Sequence, residues 1–194
     1  MKISTLFILA LTLVQSPVFA ADDAKMMDKF KEYSTPSEGH KKLQQMAGKW
    51  TYTSKMWMTA DAKPEESTGT STMKMIFGGR YLEQEVKQKS HGSNYDGMGL
   101  IGFNNLTKNY QTVWIDNMGT GIMEGTGSFD EATQTLTDNG KFTCPFTKAA
   151  DHQRDYRTEL KIADKNNATF TMYSPDLDSG KEYKMMELTY KRVK

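Results

Sequence analysis

From residue 49 onward, apolar and polar side chains alternate with a period of two almost to the end of the chain. The alternation predicts strands at 49–59, 67–77, 80–89, 95–103, 109–116, 121–129, 135–144, 154–162, 169–174 and 181–193. The links are short and carry turn formers: Gly78-Gly79, Asn104-Asn105, Asn117 to Gly119, Asp130-Glu131, Asp164 to Asn167, and Pro175 to Gly180. Links of this length join antiparallel neighbours, because a parallel pair needs a crossover of about a dozen residues or more. A meander of such strands has two exposed edges, and closing the first strand on the last removes them. The predicted fold is mostly β, an antiparallel up-and-down barrel of about ten strands preceded by short N-terminal helices.

The helices are read from a change of period. Met26, Met27, Phe30 and Tyr33 recur at i, i+1, i+4 and i+7, behind a cap at Asp22 or Asp23, and Thr35-Pro36 ends the run. Ser37 caps a second short helix with Leu43, Met46 and Ala47 facing inward, stopped by Gly48. Paired amphipathic pieces of this kind cover a hydrophobic opening or pack across a sheet. Ahead of them, Lys2 precedes an apolar run over 3–14, broken by Gln15 to Pro17, with Val18 and Ala20 at the −3 and −1 positions of a cleavage site. The run is too short for a membrane span, which takes about 20 residues, and no cysteine stands directly after it to carry a lipid anchor. The expected organisation is a signal peptide over 1–20, a helical segment over 21–48 and a barrel over 49–194, the last two forming one domain. The expected destination is the periplasm or the outside, with no membrane span after cleavage. An outer-membrane barrel is disfavoured, since both strand faces carry Lys, Glu, Gln and Asp.

Composition narrows the function. The 25 basic and 24 acidic residues nearly cancel and form no basic stripe, so no nucleic-acid partner is expected. Cys144 is the only cysteine and cannot close an internal disulfide; between Phe142-Thr143 and Pro145-Phe146 it reads as a buried thiol. Gly97-Met-Gly99-Leu-Ile-Gly102 fits G-x-G-x-x-G, but a turn and another strand follow where a dinucleotide site needs a helix. His40, His91 and His152 lack metal-ligand spacing, and no metal site is expected. The 14 methionines are weighed between soft-metal ligation and an adaptable apolar wall. Without an M-x-x-M run or a histidine partner, the wall is preferred.

Arg80, Glu83, Glu85, Asp116, Glu124, Arg157 and Glu159 interrupt strands, and most should face solvent. Asp116 is the first candidate to face inward, in competition with an Asx-turn over Asn117 to Gly119. Gly97, Gly99 and Gly102 suggest unfilled space along one wall, with Tyr110, Thr112 and Trp114 on the next and Met56 and Met58 on another. The expectation is an interior pocket of a few hundred Å³ whose ligand-binding residues include Met56, Met58, Gly99, Tyr110, Trp114 and Asp116. The ligand would be a small apolar or amphipathic molecule. One alternative is an isomerase- or hydrolase-type enzyme using Asp116, Glu85 or Glu124 as acid or base. The other is a filled barrel that acts through its surface.

Trp114-Ile-Asp-Asn-Met-Gly-Thr-Gly-Ile-Met123 resembles the central motif of the bacterial family of domain of unknown function fifteen seventy-nine. Gly48-Lys-Trp50, Met56-Trp-Met58, Ser67 to Thr70, Gly78 to Leu82, Gly97 to Phe103 and Lys181 to Tyr190 agree with it. The resemblance implies membership and no activity. More distantly, Gly48-x-Trp50 at the start of the first strand resembles the G-x-W of the calycins. That likeness implies a calycin-like barrel in which Trp50 packs at the closed end under an arginine, a part that Arg192 would take. The haem-binding nitrobindins are similar, but they hold iron through a histidine near the last strand. Residues 181–193 contain none, so haem is not expected and no cofactor is predicted.

Overall fold

The computed structural model describes residues 18–90 and 92–194, with side-chain surroundings from residue 22 onward, residue 90 excepted. Two helices, α1 (Val18–Ser34) and α2 (Glu38–Gln44), precede the strands. They are β1 (Gly48–Met56), β2 (Glu65–Ile76), β3 (Tyr81–Ser90), β4 (Ser93–Asn104), β5 (Asn109–Asp116), β6 (Met123–Asp130), β7 (Thr135–Thr143), β8 (Gln153–Asp164), β9 (Asn167–Pro175) and β10 (Glu182–Arg192). Each pairs antiparallel with the next, and β1 also pairs with β10, so the sheet is a closed barrel without edges. Boundaries differ from the sequence pattern by a few residues. The one that matters is the end of β1 at Met56, which leaves Met58 outside the strand and 63 % exposed. The apolar run of the expected signal peptide and His91 lie outside the described residues, while Val18 to Ala20 form the start of α1.

The chain divides into two compact units after Ser34. In the first, Met26, Met27, Phe30 and Tyr33 of α1 are all exposed. The stripe that the periodicity marks as an inward face is left uncovered among the described residues of this unit. The second unit holds α2 and the barrel. Leu43 and Met46 of this segment are buried with Trp50, Met73, Leu82, Tyr110, Leu136, Ala168 and Tyr190 from the barrel. Burying side chains of this size is worth about 1.5–3 kcal/mol each. Tyr110 Oη donates to the Gly39 carbonyl at 3.1 Å, and Lys42 pairs with Glu131 at 2.6 Å across the β6–β7 turn. Phe103 lies so close to Gly39 that a Cβ there would meet its ring at 2.5–2.6 Å. α2 therefore plugs this end of the barrel.

Trp50 is 1 % exposed and donates from Nε1 to the Met46 carbonyl at 2.8 Å. Arg192, its register partner on β10, lays its guanidinium over the Trp50 ring with Cζ 4.0 Å from the centroid. The same guanidinium donates to the carbonyls of Ala47 (2.5 Å), Gln45 (2.6 Å) and Lys165 (2.5 Å), tying the chain's end to the segment after α2. The opposite end is bounded by loops 57–64, 117–122, 144–152 and 176–181. There the inward-facing side chains of Met56, Ser67, Gln88, Trp114, Met123 and Phe142 are only partly buried.

Candidate functional site

The lumen above the α2 plug is the site the fold offers, and its wall can be built strand by strand. On β4 and β5, Trp114 lies over Gly97 and Gly99: a Cβ on Gly99 would meet the indole at 2.8 Å, and one on Gly97 would collide with it. These glycines seat the tryptophan, and the space they were expected to leave empty is filled by it. Gly102 is on the other face of β4, under Tyr81. Asp116 fixes the indole from the strand end. Its Oδ2 accepts from Trp114 Nε1 at 3.0 Å and Tyr95 Oη at 3.1 Å, and its Oδ1 accepts from the Met118 N–H at 2.9 Å. The inward-facing and Asx-turn readings of Asp116 are thus both realised by one carboxylate. Burial, followed by the Asp116 charge, pushes the Tyr95 phenol well above its ordinary range.

A second polar cluster sits at the waist. Asp138 of β7 is 5 % exposed and accepts from the hydroxyls of Thr112 and Thr158, one on each oxygen. Tyr156 lies beside it, its phenol pushed up to about 12 by burial first and the Asp138 charge second. Across the lumen, Gln84 Nε2 donates to Ser71 Oγ at 3.1 Å and to Tyr190 Oη at 3.3 Å. Tyr52 Oη donates to Gln88 Oε1 at 3.0 Å, and burial raises that phenol to about 12. Near the open end, Arg154 donates to the Pro175 carbonyl and lies near the rings of Phe142 and Tyr183.

A small, partly open space of about 10 Å³ lies directly beneath α2, between Leu43, Met46, Leu82 and Leu136. A larger depression of about 910 Å³ is open and lies on the outer wall, where Thr51, Thr53, Thr68, Thr70, Lys87 and Lys89 line it with parts of Tyr52 and Tyr95. Neither has the form of the interior pocket expected from the glycines.

The residues singled out from the sequence are spread along the barrel. Met56, Gly99, Trp114 and Asp116 lie toward the open end, Tyr110 is packed under α2, and Met58 is exposed beyond β1. Glu85 and Glu124 face outward and are exposed, because they pair in register with the outward Met98 and Val113. They have no access to the lumen and drop out as interior acids. Met56, Met186 and Met172 are register neighbours on the inner face of β1, β10 and β9, whereas Met73 is in the core, Met123 lines the lumen, and Met98 and Met118 are exposed. Asp138 was missed. Its signal is an acid in phase with Leu136 and Phe142, at an apolar place in the alternation of β7.

A closed antiparallel barrel, plugged by a short helix at the G-x-W end and open at the other, defines a calycin-like barrel. Two solved structures share it. Rv2717c from M. tuberculosis superposes with a TM-score of 0.61 at 9 % identity, over 82 % of this chain and 100 % of that one. The S-type phycobiliprotein lyase CPES from Guillardia theta gives 0.58 at 8 % identity, over 84 % and 96 %. At such identities the likeness is one of fold. The chain belongs to the family described as protein of unknown function DUF1579, whose profile matches residues 35–192. None of the curated proteins matches it.

Proposed function

We propose that this protein is an exported carrier that holds a small apolar or amphipathic molecule in the barrel lumen. The observation that carries the reading is the contrast between the two ends. Leu43, Met46, Trp50, Leu82, Tyr110 and Leu136 at the α2 end are buried, whereas Trp114, Met123, Phe142 and Met56 face inward toward the loops and keep part of their apolar surface exposed. Apolar walls with a few convergent polar groups are what small-molecule sites are made of. A similarly folded neighbour that is named a phycobiliprotein lyase is in keeping with a barrel that handles another molecule.

A neutral, environment-sensitive dye such as Nile red should be taken up by the folded chain with a stoichiometry of about one. Gly99→Leu pushes Trp114 off its seat into the lumen and should weaken uptake about tenfold or more. Absence of uptake by folded wild-type protein would sink the reading. Export rests on Lys2, the apolar run and the Val18 and Ala20 positions. N-terminal sequencing of the protein recovered from its host should begin at Ala21; a mature fraction beginning at Met1 contradicts export.

A further inference from the structure

Resting on the lumen reading, we propose that the ligand carries a positively charged, hydrogen-bond-donating nitrogen, and that Asp138 is the group that receives it. Buried charges in proteins are paired or bind metal. Asp138, nine-tenths and more buried, has only hydroxyls for partners: Thr112 on one oxygen and Thr158 on the other. Among the described residues no lysine, arginine or histidine forms an ion pair with it. Arg154, the inward-facing arginine of β8, is four residues from Thr158 and so about 13 Å away along the strand. It is spent on the Pro175 carbonyl and Tyr183. Among the described residues the carboxyl group at the waist has no cationic partner.

The surroundings are shaped around that carboxylate. Asp138 Oδ2, Tyr156 Oη and Thr112 Oγ1 converge over Gly125, where a Cβ would collide with the first and lie 2.5 Å and 2.6 Å from the other two. A carboxylate offers about four lone-pair sites, and the two threonines occupy two of them. Thr112 and the inward-facing Gly140 beside the cluster are only partly buried. Above lie Trp114, Met123 and Phe142. An apolar body against these residues with an ammonium at its foot matches the wall at both levels. A bond from a charged donor to a carboxylate in such a place is the stronger kind of hydrogen bond.

The test is displacement of Nile red by a matched series at pH 7: dodecylamine, dodecanol and dodecanoate, each below its aggregation concentration, with circular dichroism to check that the fold persists. Dodecylamine should displace the dye at about one-tenth the concentration of dodecanol or less, and dodecanoate should be weakest. Asp138→Asn should retain Nile red and bind the amine no better than the alcohol. Equal displacement by amine and alcohol in the wild type overturns the inference while leaving the lumen reading intact, as does an amine preference that survives in Asp138→Asn. Failure of the wild type to take up Nile red overturns both. Should Asp138→Asn not fold, the series on the unmodified chain decides alone.

Discussion

Trp50 is held by three kinds of contact at once: burial among apolar residues, a hydrogen bond to the Met46 carbonyl, and the guanidinium of Arg192 over its ring. Arg192 is half of that arrangement and also the clamp on three carbonyls. The cation–π contact is worth about 0.5–2 kcal/mol, and the carbonyl bonds add to it. Arg192→Ala should therefore destabilise the fold by on the order of 2 kcal/mol. Arg192→Lys should recover only part of this, because an ammonium cannot stack flat and reach all three carbonyls. Thermal unfolding followed by tryptophan emission checks both, and an unchanged midpoint in Arg192→Ala contradicts the clamp. Asp116 works in the same way at the other end, aligning Trp114 and capping a turn with one carboxylate. Alternation could place Asp116 at a strand end. It could not reveal that both oxygens are committed, since Tyr95 and Trp114 meet only across paired strands.

At the scale of elements, α2 owes its place to the turns it touches more than to its own length. Ser37 donates from its hydroxyl to Asn105 Oδ1 at 2.6 Å, and its backbone N–H donates to His40 Nδ1 at 2.9 Å. That last bond requires Nδ1 to be unprotonated. Burial, and then the charge of Arg80, lowers the His40 pKa from 6.5. The native state thus binds fewer protons here than the unfolded chain as pH falls through 6.5. The contribution is fully present above that value and is lost progressively as pH falls toward and through the lower native pKa. Denaturant melts at pH 7.5 and 5.5 should show lower stability at the acid pH. His40→Gln, which keeps an acceptor for the Ser37 N–H, should remove that part of the loss. An equal loss in the variant would mean that other groups carry it. The helix itself was legible in the Ser37 start and the Leu43, Met46 and Ala47 spacing. α1 shows the converse, an equally clear stripe that stays exposed, because periodicity identifies an apolar face and not its partner.

For the molecule as a whole, the barrel was readable because the strands alternate and the links between them are too short for helical crossovers. One departure from the alternation held the information about the site. Asp138 stands where an apolar residue would continue the face of Leu136 and Phe142, and only the register of β5, β7 and β8 brings Thr112 and Thr158 to it. The glycines of β4 misled for the opposite reason: a missing side chain marks space, and the sequence does not say that a neighbour's indole fills it. The account stands on a lumen closed by α2 and entered from the loop end. Amide and indole NMR shifts of the labelled chain, recorded with and without saturating Nile red, test that most directly. Perturbations should centre on Trp114, Met123, Asp138 and Phe142, leaving α2 and the outer faces of β1 and β2 unmoved. Perturbations confined to the outer wall around Thr51, Thr70 and Lys87 would contradict it.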